Sequence, residues 1–323
     1  MSVDVSKFEG PEKRLKIILT SPQQGWRAND DGHWDRVVNA SHARIISKIS
    51  TDDLDAYLLS ESSLFVWKDR VLIITCGKTN LLDALDVLLA FTDTGNVAIF
   101  SYERNNFIFP GEQPSDFQKE IEGIGRHFSG DSRRLGARDH DHVHLFCASG
   151  EDSAMDGSMS LQVLMHDLDP SVMNLFSTDG STTPDQARSK SALDRIYPHM
   201  KIDHHLFAPY GYSLNGVYDD RYFSVHITPQ RDGSYASFET NVREADYPET
   251  IGEVLSIFRP GRFSLVRRSN EPEGHAAWDS GRRGAGMSAY EMTGEDTHRF
   301  KGGYSVGSMN WCRRHQDVAT GLQ

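Results

Sequence analysis

The sequence predicts an α+β fold, and three features of its 323 residues carry that prediction. Apolar runs of strand length bounded by polar turns recur along the chain, and segments with apolar residues at helical spacing are inserted after pairs of them. The two periods alternate, with helices inserted after strand pairs, which is the pattern of an α+β fold. With 38% hydrophobic residues the chain can bury a sizeable core, as one large domain or two of ordinary size.

Taken in order, Phe8 to Glu12 leads into Arg14–Thr20, where Leu15, Ile17, Ile18 and Leu19 give a largely buried strand. Ser21–Asp35 is polar and reads as a loop, and Ala40–Ile49 as a short helix. The stretch Tyr57–Cys76, YLLSESSLFVWKDRVLIITC, is the one the rest is organised around. Leu58, Leu59, Leu64, Phe65 and Val66 flank a polar Glu61-Ser62-Ser63 step, and Lys68-Asp69-Arg70 turns the chain into a second run, Val71–Thr75. This predicts a hairpin with a serine at its kink. Asn80–Thr92 carries six apolar residues at helical spacing behind Thr79 as N-cap, so it packs on a sheet. Asn96–Tyr102 is strand and Pro114–Phe128 helix.

In the second half, Leu161–Leu168 reads as strand, Asp169–Ser177 as a short helix and Thr183–Arg195 as a helix. Leu206–Asn215 and Tyr222–Thr228 are strands joined by a turn at Tyr218-Asp219-Asp220, and Ser234–Asn241 alternates as a strand. Tyr247–Phe258 is an amphipathic helix stopped by Pro260-Gly261, followed by a strand over Phe263–Arg268. Beyond Ser269 the chain is polar and Gly-rich until Phe300–Cys312, which can supply final strands.

Composition excludes several classes of function. Lys and Arg number 34 against 46 Asp and Glu, a net charge of −12, which argues against a broad nucleic-acid or anionic-membrane surface and favours small cationic metabolites. Cys76, Cys147 and Cys312 are odd in number and widely spaced, pointing to thiols in a reducing compartment. The start, MSVDVSKFEG, lacks the regions of a signal peptide, and no apolar run approaches the roughly 20 residues that span a bilayer. A cytoplasmic protein is expected. The most metal-like segment, Arg138–His144, alternates His140, His142 and His144 on one strand face, but without a fourth ligand or a second cluster it reads as a solvated strand edge. His204-His205 reads the same way, and no metal is expected.

Four motifs in order carry a resemblance: FEGPEK at Phe8–Lys13, the LSESS step at Glu61-Ser62, the TCG around Cys76, and YSLNG followed by HITP across Tyr212–Pro229. Together they resemble the pyruvoyl-dependent S-adenosylmethionine decarboxylases of the eukaryotic type, in register from about Phe8 to Phe263. The resemblance implies a single domain over residues 1–323, folded as a four-layer αββα sandwich of two packed antiparallel sheets built from two similar halves. It also implies a proenzyme that cuts itself between Glu61 and Ser62, leaving chains 1–61 and 62–323 and a covalent pyruvoyl group at residue 62, with no metal and no pyridoxal phosphate. The pyruvoyl group of that family forms a Schiff base with S-adenosylmethionine, releasing carbon dioxide and giving the aminopropyl donor for spermidine and spermine.

The resemblance distributes roles over residues that are ordinary when taken alone. Glu9 and Glu12 by themselves are surface carboxylates, His226 a hydrogen-bonded strand histidine, Cys76 a small buried hydrophobe, and Phe8 and Phe207 core aromatics. By resemblance, Ser213 and His226 assist processing, Cys76 at an ordinary thiol pKa is the proton donor, and Glu9 and Glu12 line the active site. Phe8 and Phe207 sandwich the adenine, with Leu59 and Glu61 beside the substrate, as suits a base attached to a sulfonium cation.

Two sites depart from the family pattern. Gln230 stands where a glutamate usually holds the ribose hydroxyls, which removes a charge-assisted pair. At the acidic site that binds putrescine in animal members, Glu239 persists but Lys16, Ser158 and Gln162 replace the rest. The expectation is that the Lys16 ammonium stands in for a putrescine ammonium near Glu239 and that putrescine does not activate. Two alternatives remain: a pyruvoyl decarboxylase of arginine or ornithine, and a non-catalytic relative that regulates an active partner. The family suggests a homodimer of cleaved protomers, although some members are monomers.

Overall fold

Alternating faces of the strands decide the architecture. In β1 (Lys13–Leu19), Leu15, Ile17 and Leu19 pack with residues of α1 (His33–Ala40) and α2 (Leu81–Leu89), while Ile18 on the opposite face packs against Leu164, Tyr235 and Val266 of the second half. In β9 (Met159–His166), Leu161, Val163 and Met165 likewise pack under α6 (Pro248–Phe258), while Leu164 faces the first half. The layers therefore run helix, sheet, sheet, helix. The computed structural model describes residues 8–28, 31–137, 141–150, 158–177, 182–243, 247–270 and 287–314.

The first sheet further comprises β2 (Ile45–Ser50), β3 (Asp55–Leu59), β4 (Ser62–Val66), β5 (Arg70–Thr75), β6 (Val97–Asn105), β7 (Asp131–Leu135) and β8 (Val143–Ser149). The second comprises, besides β9, β10 (Lys201–Leu206), β11 (Tyr212–Tyr218), β12 (Arg221–Thr228), β13 (Tyr235–Thr240), β14 (Arg262–Ser269), β15 (Tyr290–Arg299) and β16 (Ser305–Arg313). Helices α3 (Phe117–Ile124), α4 (Pro170–Met173) and α5 (Pro184–Ser191) complete the outer layers. The orders are β2-β3-β4-β5-β1-β6-β8-β7 and β10-β11-β12-β13-β9-β14-β16-β15, so adding eight to each label of the first sheet generates the second. The two halves share one antiparallel topology, as the resemblance implied.

Several elements differ from the sequence expectation. The helix expected over Ala40–Ile49 forms earlier, because His33, Trp34, Val37 and Val38 make the buried helical stripe, and Ile45–Ser50 alternates as edge strand β2. The N-cap of α2 is Asn80, whose side chain accepts from Leu82 N–H at 3.0 Å, in place of Thr79. Leu206–Asn215 is not one strand: β10 ends at Leu206 and the chain turns through Phe207–Gly211 before β11. The Gly-rich region holds one more strand than expected, β15, which pairs along β16. Its exposed, charged sequence hid it, because an edge strand carries no apolar alternation.

Candidate active site

Leu59 pairs with Ser62 across β3 and β4, leaving Ser60-Glu61 as a two-residue turn. The step expected as a kink within one hairpin is thus the tip of a separate, tighter one. Ser62 is held at φ 124°, a region that side-chain-bearing residues rarely occupy and whose strain must be met by surrounding contacts. Those contacts come from β5, where Thr75 is the register partner of Ser62 and Cys76 follows. The Cys76 N–H donates to the Glu61 carbonyl oxygen at 3.0 Å, and its thiol lies 3.7 Å from the same oxygen. The Ser62 hydroxyl donates to Cys76 Sγ at 3.4 Å. A carbonyl polarised by an amide donor therefore precedes a buried serine hydroxyl.

This turn forms part of the wall of a cavity of about 230 Å³ that also draws on Phe8, Phe207, Ser213 and His226. Ser213 and His226 are register partners on β11 and β12, so the second sheet supplies the wall opposite the turn. Gly77 is in the left-handed region, φ 63°, and a methyl group there would sit 2.8 Å from Glu61 Oε2 and 3.1 Å from the Phe8 ring. Its lack of a side chain lets the ring and the carboxyl approach the chain.

Behind the cavity, the His226 ring is fixed at both nitrogens, Nδ1 at 2.7 Å from Glu12 Oε1 and Nε2 at 2.9 Å from Ser63 Oγ. Glu12 also accepts from Ser237 Oγ at 2.6 Å and from Gln162 Nε2 at 2.9 Å, and Ser63 donates to Asn215 Oδ1 at 2.7 Å. The chain of contacts continues between the sheets. Arg268 Nη2 donates to Gln162 Oε1 at 2.8 Å while its Nε donates to Glu103 at 2.7 Å, and Arg14 bridges Glu103 at 3.3 Å to Glu239 at 3.0 Å. Every member is at least nine-tenths buried.

Comparison with known proteins separates this arrangement from a chance constellation. The adenosylmethionine decarboxylase family profile matches residues 5–311. The chain is 33% identical to the S-adenosylmethionine decarboxylase proenzyme of Dictyostelium discoideum, over 94% of this chain and 85% of that protein. It is 34% identical to the proenzyme of Leishmania donovani, over 95% and 86%. The chain belongs to the adenosylmethionine decarboxylase family. Among solved structures, the Trypanosoma brucei AdoMetDC-delta26 monomer superposes with a TM-score of 0.61 at 26% identity, covering 78% of this chain and 99% of that one.

Within this family member, the expected site residues fall into two groups. Ser62, Cys76, Glu61, Phe8, Phe207, Ser213 and His226 share the cavity. Glu9, Glu12, Gln230 and Leu59 stand behind or beside it. Glu9 is spent on the chain, accepting from the N–H groups of Ile108 at 2.8 Å and Phe109 at 2.7 Å. Gln230 accepts from the Phe8 N–H at 3.0 Å and donates to the Phe8 carbonyl at 2.7 Å, so it clamps the backbone of an aromatic wall residue. Leu59 packs in the core under the helices. The cation set against Glu239 is Arg14, two positions before Lys16 on the same face of β1, supported by the Tyr222 hydroxyl. Ser158 lies at the edge of a second cavity. Sequence reasoning missed Ser63, Asn215, Ser237, Arg14, Glu103 and Arg268. Only the inward alternation of charged residues along β1, β6 and β14 could have signalled the last three.

Among the described residues no group of three or more potential ligands could hold a metal ion, and no helix is long and apolar enough to cross a membrane. His140 lies outside the described residues, while the His144 ring packs at a tilt against Phe117 and its pKa is pushed down to about 4 by burial. His204 contacts Asp185 at 3.3 Å, and His205 meets the edge of Phe207.

Burial sets the site's proton inventory. It pushes the Cys76 thiol well above its usual range, with the Glu61 carboxylate adding and the Ser62 hydroxyl opposing, so Cys76 is a firmly held thiol rather than one at its ordinary pKa. Burial also lowers Lys13 to about 8 against the pull of Glu120, and raises Glu61 to about 7 against Arg44. Glu61 is protonated more readily in the native state than in the unfolded chain, so its contribution to native stability falls as pH rises from 4.5 through about 7. In a Ser62→Ala background, adding Glu61→Gln should leave stability little changed near pH 4.5 and raise it progressively up to about pH 7. Thermal midpoints across that range check this, and a constant difference at every pH overturns it.

Proposed function

We propose that the chain is an S-adenosylmethionine decarboxylase proenzyme that cuts itself between Glu61 and Ser62 to generate a pyruvoyl terminus. The observation that carries the reading is the strained Ser62 whose hydroxyl follows a carbonyl already held by the Cys76 N–H, on a cavity walled by two phenylalanines. Ser62 Oγ adds to the Glu61 carbonyl carbon and the bond to the residue 62 nitrogen breaks, giving an ester and a free amine. The Cys76 N–H stabilises the oxyanion formed on the way. Loss of the Ser62 Cα proton to a base expels the Glu61 carboxylate and leaves dehydroalanine, which takes up water and releases ammonia. Ser213 supplies a hydroxyl donor, and His226, oriented by Glu12, supplies the base.

A pyruvoyl carbonyl at residue 62 would supply the electron sink that decarboxylation of an α-amino acid requires. The donor set fits it, because the same N–H and thiol converge where that group would form. Cys76, kept protonated by burial, holds a proton at Sγ for the carbon that loses carbon dioxide. Phe8 and Phe207 offer ring faces for an adenine, and Glu61 a carboxyl near the sulfonium. Gln230 acts through Phe8, which it pins at both backbone groups.

Turnover on S-adenosylmethionine, arginine and ornithine tests the substrate. Release of carbon dioxide from S-adenosylmethionine should exceed the other two by at least about a hundredfold, since neither offers a base to stack. Comparable turnover of arginine or ornithine would move the assignment to that amino acid. Putrescine should leave activity unchanged, because Arg14 and Arg268 already place two cations on Glu103 and Glu239, where a diamine would have to bind. Activity assays with and without millimolar putrescine check this, and a several-fold activation refutes it.

A further inference from the structure

Between β5 and α2 the chain runs from Cys76 to Asn80, and this loop carries two groups that face the Glu61 carbonyl, the Cys76 N–H and the Cys76 thiol. Loops move unless their backbone is tied down, and a donor aimed at a reacting oxygen has to be held in place. This loop is tied to neighbouring elements. The Gly77 N–H donates to the Glu9 carbonyl at 2.8 Å and the Asn80 N–H to the Ser41 carbonyl at 3.2 Å. Between them, the Lys13 ammonium donates to the Thr79 carbonyl. The Thr79 hydroxyl lies 3.0 Å from the Cys76 carbonyl oxygen and 2.9 Å from Thr75 Oγ1, so the grip on Thr79 is passed back to the residue that carries both groups.

Lysine is a costly residue for that grip. Lys13 stands on β1 opposite Thr75, on the face that also carries Leu15 and Ile17, and is 1% exposed. Its neighbour on β6, Arg104, is paired with Glu120 at 2.6 Å, whereas among the described residues no carboxylate comes within ion-pair distance of Lys13. Glu120 and Glu9 act on it only through space, and the Phe107 ring centre lies 5.4 Å from its Nζ. Burying an ammonium without a paired carboxylate lowers stability, so packing alone does not account for it.

We propose that Lys13 is a positioning residue, which through Thr79 holds the loop so that the Cys76 N–H and thiol converge on the Glu61-Ser62 peptide. The inference rests on the cleavage reading above for what those two groups do, and on geometry for what Lys13 holds. Lysine suits the task because it places a charged donor at the end of a flexible stem, and a charged donor binds a carbonyl more strongly than a neutral one.

Alkylation by iodoacetamide in the Ser62→Ala chain, with each cysteine read by peptide mass spectrometry, tests the inference without any cleavage. Cys76 should react at least about tenfold faster when Lys13→Met is added, since a thiol released from burial regains an ordinary thiolate fraction. Cys147 and Cys312 are internal references whose rates should not move. Thr79→Val keeps the carbonyl that Lys13 grips but removes the hydroxyl beside Cys76, and should act in the same direction. Methionine matches the lysine stem and removes a buried charge, so the thermal midpoint should stay where it is, unlike that of a chain losing a purely structural contact. With Ser62 intact, Lys13→Met should slow cleavage at least about tenfold, because the oxyanion donor is displaced. An unchanged Cys76 rate, or equal acceleration at all three cysteines, overturns the inference. A wild type that is never cut would remove the cleavage reading, and the alkylation rates would still decide the role of Lys13.

Discussion

Replacing Ser62 by alanine should leave one uncut chain of 323 residues, where the wild type, cut as proposed, should separate under denaturing conditions into pieces of 61 and 262 residues. Alanine has no oxygen to carry the Glu61 acyl group, so neither the ester nor anything after it can form. Decarboxylation should fall by at least about a thousandfold, as expected when a covalent centre is lost. The measurement is intact mass, which also reads the terminus of the larger wild-type piece. The substitution removes one hydroxyl and leaves the strand ladders on both sides of residue 62 in place, so the variant should fold and the failure should be chemical. A wild-type chain that stays whole on incubation, or a Ser62→Ala chain that is still cut, would remove Ser62 from its role.

The second large effect concerns stability. Glu103 is 2% exposed and receives Arg268 Nε at 2.7 and 2.8 Å and Arg14 Nη1 at 3.3 Å. Burial alone would raise its pKa, but the two guanidinium groups outweigh that and hold it ionised. In Glu103→Ala, Glu239 is left to balance two buried arginines. The expected loss is about 3–5 kcal/mol, the usual result of breaking one member of a buried ion network. Lys78 and Glu112 also pair, at 2.7 Å, but both are more than half exposed, so Lys78→Ala should cost less than about 1 kcal/mol. Denaturant midpoints of the two variants decide the matter. Similar values for both would mean that the network contributes no more than surface charges do.

What was legible in the sequence follows from how far each signal reaches. Apolar periods revealed β9, β12, β13 and α6 nearly to their ends, because each sets one regular apolar face into the core between sheet and helices. They misplaced α1, whose stripe contains His33 and Trp34 within a stretch that composition marked as polar. Motif resemblance located the turn, the thiol and His226, since those chemical groups sit in short contiguous stretches. It could not reveal that Gln230 grips Phe8 or that Arg14 reaches Glu239, contacts between residues 222 and 225 positions apart. Pairings that cross from one sheet to the other are written in no local pattern.

A cut between Glu61 and Ser62, as proposed, has a thermodynamic consequence because it falls within the first sheet. The 61-residue piece carries β1, which lies between β5 and β6, and β3, which lies between β2 and β4. After such a cut β1 would stay threaded through the larger piece, laced by ladders on both sides, while β3, whose other neighbour β2 belongs to the same small piece, would stay laddered to β4. The two pieces cannot part while folded, and dilution should not dissociate them. Unfolding, however, changes its molecularity: the uncut chain refolds by itself, while the processed protein must find its other piece. Only the processed form should therefore show a denaturation midpoint that rises with protein concentration.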